Sequence, residues 1–132
     1  MADQCGAPTY APHLAAATIA AIARASTAPV FPRGVYHLCA RGETSWHGFA
    51  IEAFAQAMRL GIAMRVRRVR EITSGEYPTP ARRPLNSRLD TTKAERDLGL
   101  VLPDWRKGVA EYLAELASTG TGNAIPRMIS RL

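Results

Sequence analysis

Two clusters of proline do most to limit what this chain can form. Pro29 and Pro32 lie in the first cluster, and Pro78, Pro80 and Pro84 lie in the second. Proline lacks a backbone N–H and pushes the preceding residue toward extended conformations, so neither cluster can lie inside a regular helix. The clusters divide the chain into three stretches, and at 132 residues we expect these to share one core.

Apolar spacing and capping residues predict four helices. The first is an alanine-rich, closely packed helix over 12–24. The second follows a cap at Thr44 or Ser45 and ends at Gly61, a short third begins at Asp90 or Thr91 and closes at Gly99, and Asp104 begins the last. Trp46 and Trp105 recur with the apolar positions of their helices, so we expect both to anchor the core rather than to stack on a sugar.

Two further stretches resemble strands. Residues 35–40 form an apolar run that predicts a buried strand, and residues 62–72 alternate apolar and basic side chains as a strand with one wet face would. The predicted architecture is α/β, with helices packed on a few strands over 1–118 and a loosely held tail over 119–132.

The charge is basic, with a net value of +6 that includes Arg65, Arg67, Arg68 and Arg70. Nucleic-acid readers usually add stacking aromatic residues or a recognition helix, and this run has neither, so a solvated strand is favoured over a basic binding module. No apolar run approaches the length of a membrane span and the amino terminus does not resemble a secretory signal. We therefore expect a cytoplasmic protein with no membrane partner.

The residues supply no catalyst. The glycines never form a dinucleotide-binding turn, no tyrosine is followed four positions later by lysine, and no serine or cysteine has the flanks of a nucleophile. Cys5 and Cys39 are expected to be small buried residues rather than a disulfide, and the histidines match no metal-ligand spacing. Two polar, proline-rich loops remain, at 3–9 and 77–90, and such loops often carry ligand contacts.

Four ordered blocks carry a resemblance to a known family. Residues 3–9 match the pattern D-Q-x-G-x-P-T, and the others lie at 34–38 together with 42–50, at 77–91 and at 102–105. In these blocks the chain resembles the dTDP-4-dehydrorhamnose reductase family, over its carboxy-terminal part. The resemblance implies the carboxy-terminal portion of a Rossmann-type extended short-chain dehydrogenase. Because the first block begins at Asp3, we expect a truncated product, a gene remnant or a piece cut at a domain boundary.

The resemblance also implies a function. Complete members reduce dTDP-4-dehydro-L-rhamnose to dTDP-L-rhamnose with NADPH or NADH, but their cofactor turn and Tyr-x-x-x-Lys pair precede the part matched here. The chain alone is therefore expected to bind no cofactor and to be inactive. The alternatives are a complementing subunit that docks on a separate Rossmann chain, and a basic module with no enzymatic role. A strand at 35–40 would lie at the edge of the missing sheet, which also predicts self-association.

The substrate would be a dTDP-sugar, whose diphosphate requires positive charge and hydrogen-bond donors. Guanidinium groups suit phosphate because their fork binds two oxygens, so each arginine of the second loop is a candidate or else a surface ion-pair partner. Short polar residues of both loops would bind the sugar or the base, or would close turns. The candidate substrate-binding residues are Asp3, Gln4, Thr9, Arg82, Arg83, Asn86 and Arg88.

Overall fold

The computed structural model describes residues 1–81 and 83–118. Within these ranges the chain forms four helices and one two-stranded sheet, which confirms the α/β class. The elements in chain order are β1 (Cys5–Gly6), α1 (Ala11–Thr27), β2 (Thr44–Ser45), α2 (Trp46–Arg59), α3 (Thr92–Leu98) and α4 (Trp105–Ser118). Strands β1 and β2 pair antiparallel, with Cys5 opposite Ser45. The predicted tail over 119–132 lies outside the described residues.

The helix ends follow the capping residues that the sequence predicted. The Ser45 hydroxyl accepts a hydrogen bond of 3.1 Å from the Gly48 N–H at the start of α2. Gly61 (φ 68°) follows that helix and Gly99 (φ 57°) closes α3, both in the left-handed region that glycine adopts at little cost. These local signals place two of the four helices, α2 and α3, to within a few residues.

The main core lies between α2 and α4. Trp105, Val109 and Leu113 lie buried along one face of α4, and Ala57 of α2 and Ile62 pack in the same cluster. The partly buried Phe49 ring lies 6.0 Å from the Trp105 ring, centroid to centroid. Trp105 is thus the core anchor that the helical spacing predicted.

Both predicted strands are wrong. Residues 35–40 and 62–72 have no strand assignment, and Val35 is 73% exposed. A strand needs a neighbouring strand to satisfy its backbone groups, and within the described residues neither segment pairs with a strand; the Ala2 N–H bonds only to the Ile72 carbonyl at the end of the second. The four arginines of 62–72 lie exposed, so that segment is solvated without forming the expected sheet edge.

The first helix is confirmed but its expected packing is wrong, because no residue of α1 is buried. Its alanines and isoleucines have the predicted spacing, yet α1 makes only limited contacts, with α3 and with Glu111 in the middle of α4. No helix within 1–81 and 83–118 is both long and apolar enough to span a membrane.

Candidate functional site

The amino-terminal segment lies at the centre of the site. On one side Cys5 and Gly6 pair with β2. On the other side the Cys5 N–H donates to the Leu85 carbonyl and the Ser87 N–H donates to the Cys5 carbonyl, each at 2.8 Å. Three extended segments therefore lie side by side, with residues 5–6 between β2 and residues 85–87. The two polar loops predicted at 3–9 and 77–90 are joined where residue 5 pairs with residues 85–87.

Asp3 and Gln4 hold the segment to a third loop. The Ser74 N–H donates to Asp3 Oδ2 at 2.8 Å and the Ser74 hydroxyl donates to Asp3 Oδ1 at 3.0 Å. Gln4 Nε2 in turn donates to the Ser74 hydroxyl at 2.8 Å. The backbone N–H of Ser74 lowers the pKa of the Asp3 carboxyl, because the donated hydrogen bonds favour the carboxylate.

Ser74 was missed by the sequence reasoning. It lies in the turn that Thr73 begins, where Glu76 accepts hydrogen bonds of 2.7 Å from the Thr73 N–H and 3.0 Å from its hydroxyl. The Thr-Ser-Gly sequence signals a turn. Nothing local indicates that this turn reaches Asp3, 71 residues away.

Thr9 closes the turn before α1. Its hydroxyl donates to the Ala7 carbonyl and accepts from the Ala40 N–H, both at 3.0 Å. With these contacts the hydroxyl ties the first loop to the end of the 35–40 segment. Of the two roles expected for Thr9, loop closure is the one that its contacts describe.

Asn86 and Arg88 form the exposed rim of the second loop. The Asn86 side-chain oxygen accepts from the Arg88 N–H at 3.1 Å and from Arg88 Nε at 3.0 Å. Arg88 Nη1 then pairs with Glu43 Oε2 at 2.5 Å, and this bond raises the pKa of the Arg88 guanidinium. Glu43 was not predicted to contact this loop, and its carboxylate pairs with the Arg88 guanidinium.

The other two predicted arginines have different outcomes. Arg83 is exposed and makes no hydrogen bond or ion pair with the residues that the structure describes. Arg82 lies outside the described residues. Among the described residues, Arg83 therefore has no partner for its guanidinium, and it lies in the same loop as Arg88.

Trp46 contradicts its prediction. The indole is 60% exposed and packs only edge-on to Phe49, at 6.4 Å between ring centroids. Helical spacing placed it with the apolar positions, but Trp46 is the first residue of α2 and lies beyond the part of the helix that α4 covers. It therefore stands beside β2, at the edge of the site.

The arrangement offers polar groups of a kind that binds ligands. It gathers amide donors, one unpaired guanidinium and carboxylates, and it contains no nucleophile beside a base within the described residues. No group of three His, Cys, Asp or Glu side chains in this part of the chain is placed to hold a metal ion. Both cysteines are unpaired and only partly buried, whereas buried residues were predicted, and burial raises the pKa of the Cys39 thiol. Such a surface suits an anionic, hydroxyl-rich ligand.

A family model described as the RmlD substrate binding domain matches residues 1–118. Among curated proteins, dTDP-4-dehydrorhamnose reductase of Shigella flexneri is 47% identical over 89% of this chain and 39% of its own length. The Salmonella typhimurium reductase is 44% identical over 90% of this chain and 40% of its length. The chain thus spans about two fifths of these relatives.

Two solved structures are similar as well. A dTDP-4-dehydrorhamnose reductase from Bacillus anthracis, in complex with NADP, aligns with a TM-score of 0.71 and 29% identity over 86% of this chain and 36% of its own. A Clostridium acetobutylicum dTDP-4-dehydrorhamnose reductase gives a TM-score of 0.73 and 30% identity over 88% and 37%. The match thus extends to the path of the backbone, and the larger part of each relative lies outside it.

Proposed function

The chain belongs to the RmlD substrate-binding domain family, and on that premise we propose that it binds a dTDP-sugar as the substrate-binding part of a dTDP-4-dehydrorhamnose reductase. The observation that carries the proposal is the joining of the two polar loops, where Cys5 pairs with Leu85 and Ser87 at one exposed edge. The second loop also carries Arg83 and Arg88, whose exposed guanidinium groups are donors. Its placement supports a site for the diphosphate beside a site for the sugar.

Within this site we assign the diphosphate to the arginines. Arg83 is available, whereas Arg88 is held by Glu43 in an ion pair with both partners more than half exposed. An exposed pair of this kind contributes little free energy, so a diphosphate with two charges can displace the carboxylate. Asn86 then keeps the Arg88 guanidinium oriented while its partner changes.

In this proposal the chain does not catalyse the reduction by itself. NADP accompanies the Bacillus anthracis relative, but the residues of this chain do not fit a dinucleotide, because no glycine-rich turn leads into a helix. No tyrosine has a lysine four positions later to act as an acid. The proposed cofactor part is a separate Rossmann chain, and pairing of two copies through residues 35–40 is the alternative partner.

The experiment is a calorimetric titration of the 132-residue chain with dTDP-L-rhamnose, with dTDP alone as the comparison. We expect both to bind, the sugar nucleotide more tightly. Arg83→Ala should weaken binding about 10- to 100-fold, since charge-assisted hydrogen bonds contribute about 1.5–3 kcal/mol. The matched control is Arg59→Ala, which removes the same charge from the exposed end of α2.

Glu43→Gln separates the two roles of Arg88. If Arg88 binds phosphate, freeing it from the carboxylate should leave the affinity for dTDP equal or tighter, while Arg88→Ala weakens it. If Arg88 is only a surface ion-pair partner, neither substitution should move the affinity. No heat with either nucleotide, from a chain whose circular dichroism shows it folded, would refute the proposed function. Turnover of the keto sugar with NADPH by the pure chain would refute the proposed division of labour.

A further inference from the structure

The segment between α2 and the turn at Thr73 carries four arginines, at positions 65, 67, 68 and 70. We call residues 65–70 the arginine segment. All four side chains are exposed, and none forms an ion pair with a carboxylate within the described residues. Elsewhere Arg88, Arg96 and Arg106 each pair with an acid. The charge of the arginine segment is therefore not neutralised by direct contacts in this part of the chain.

The arginine segment is anchored at both ends. Before it, Ile62 is buried in the main core cluster and Met64 packs against that cluster. After it, the Ile72 carbonyl accepts a hydrogen bond of 2.8 Å from the Ala2 N–H. No helix, turn or bend interrupts residues 62–73. The four charges are thus displayed from a stretch whose ends have defined positions.

The far end of this stretch leads directly into the candidate site. Ser74 follows it and contacts both Asp3 and Gln4. Because a chain advances at most about 3.6 Å per residue, the Cα of Arg70 lies within about 7 Å of the Cα of Ile72, and that of Arg65 within about 25 Å. Salt screens charge over about 8 Å at 0.15 M and about 30 Å at 0.01 M. All four arginines therefore act on the site in dilute salt, and Arg70 still acts at 0.15 M.

The candidate site needs this additional charge, because it contains acids that repel a diphosphate. Four carboxylates lie in or beside it: Asp3, Glu43, Glu71 and Glu76. Hydrogen bonds from Ser74 and Thr73 lower the pKa of the Asp3 and Glu76 carboxyls, so both are ionised at neutral pH. The second loop supplies three arginines against these four acids, which leaves a net charge of −1. The four arginines of the arginine segment raise it to +3.

We propose that the arginine segment is an encounter surface, which attracts the diphosphate of a dTDP-sugar and speeds its arrival at the second loop. A positive field near a site raises the association rate of an anionic ligand without a contact in the bound state. The inference rests on the proposed function, since it concerns how the same ligand reaches the same site. It assigns to these arginines the association rate, and to those of the second loop the lifetime of the complex.

The test is stopped-flow mixing of the 132-residue chain with dTDP that carries a fluorescent label on its deoxyribose, which yields the association and dissociation rates separately. The variant changes all four positions: Arg65→Gln, Arg67→Gln, Arg68→Gln and Arg70→Gln. Coulomb attraction of a doubly charged ligand at the distances above predicts an association rate that is about tenfold lower at 0.01 M salt and about threefold lower at 0.15 M. The dissociation rate should change by less than about twofold.

The matched control replaces the same four arginines by lysine, which keeps the charge and removes the planar guanidinium fork. It should associate as fast as the unaltered chain, and circular dichroism checks that all three proteins are folded. Equal association rates for the glutamine variant and the unaltered chain at 0.01 M salt would overturn the inference. So would a loss in the lysine variant, or a faster dissociation of the glutamine variant that persists at 0.5 M salt, because either shows direct contact with the bound ligand.

Two further outcomes are distinguishable. If the unaltered chain binds a DNA duplex of about 20 base pairs more tightly than dTDP, and the glutamine variant loses this binding, the arginine segment serves nucleic acid and the encounter surface is refuted. If dTDP binds with a rate that the glutamine substitutions do not change, only this inference fails. If no folded protein of the three binds dTDP or dTDP-L-rhamnose, the proposed function fails and the inference fails with it.

Discussion

Replacing Trp105 by alanine should remove a large part of the stability of this chain. The indole is 2% exposed and packs against Phe49 between α2 and α4. A buried tryptophan covers about 150–250 Å², which at about 25 cal/mol per Å² is worth about 4–6 kcal/mol, and alanine retains part of that. The Trp105 Nε1–H has no hydrogen-bond partner within the described residues, which lowers the net contribution of the native side chain.

We therefore expect Trp105→Ala to lower the free energy of unfolding by about 3–4 kcal/mol. That is a large share of the roughly 5–15 kcal/mol typical of a domain, and it should lower Tm by about 10–15 °C at this size. Urea unfolding followed by circular dichroism at 222 nm measures the loss. Trp105→Phe keeps most of the apolar area and removes the unpaired N–H, so it should lose at least about 2 kcal/mol less than the alanine variant.

Trp46→Ala is the control for this experiment, because Trp46 is the other tryptophan and is 60% exposed. It should change the free energy of unfolding by no more than about 1 kcal/mol. The two single-tryptophan proteins should also differ in fluorescence, with Trp105 emitting at shorter wavelength than Trp46. Equal losses of stability in the two alanine variants would refute the assignment of the core to the α2–α4 interface.

Three further measurements test other parts of the fold. Gly42 has φ 79° and an added Cβ would lie 2.6 Å from Asp104 Oδ2, so Gly42→Ala should lower the free energy of unfolding in urea by about 1–3 kcal/mol. The control Gly75→Ala, whose Cβ would meet only Thr73 at 3.8 Å, should be nearly neutral. An unchanged urea midpoint for Gly42→Ala would contradict the left-handed turn at Gly42. Because the pKa of Asp3 is lowered, its contribution to stability is present above the unfolded pKa near 3.8 and is lost as the pH falls through the folded value. The difference in Tm between the unaltered chain and Asp3→Asn should therefore shrink below about pH 4. A constant difference from pH 6 to 3 would contradict the Ser74 contacts. The hydrogen bond to Glu115 raises the pKa of Tyr10 to about 12, so the stability that this bond contributes is complete below pH 10 and is lost as the pH rises through 12. Absorbance titration near 295 nm should show one phenol that titrates at high pH, and this phenol should be absent from Tyr10→Phe.

The helices could be predicted because their signals are local. Ser45 caps α2 with a hydroxyl three residues from its donor, and Gly99 ends α3 with its own φ. The same local spacing also identified Trp105 as core. It failed for Trp46, because spacing shows which residues share a face but not how far along the helix the neighbouring helix reaches.

The strands and the site depend on distant residues, which local patterns do not contain. Residues 35–40 have the composition of a buried strand, yet strand formation requires a neighbouring strand, and the described part of the chain does not supply one. Both polar loops were recognised, and the match to residues 1–118 confirmed the resemblance that they carried. Their hydrogen-bonded contact through Cys5, and the partners Ser74 and Glu43, could only be found from the structure.

The central position of the amino-terminal segment has a consequence for the order of folding. Its hydrogen bonds join Cys5 to residues around 45 and 85, and Asp3 to Ser74, so forming them closes long loops of chain. Closing such loops costs entropy, while the helices need only contacts a few residues apart. The helices should therefore form early and the site late, with the amide hydrogens of Cys5 and Ser87 exchanging faster than those of α4. A ligand that binds only after these hydrogen bonds have formed would then stabilise the amino-terminal segment in its folded position and complete the last step of folding.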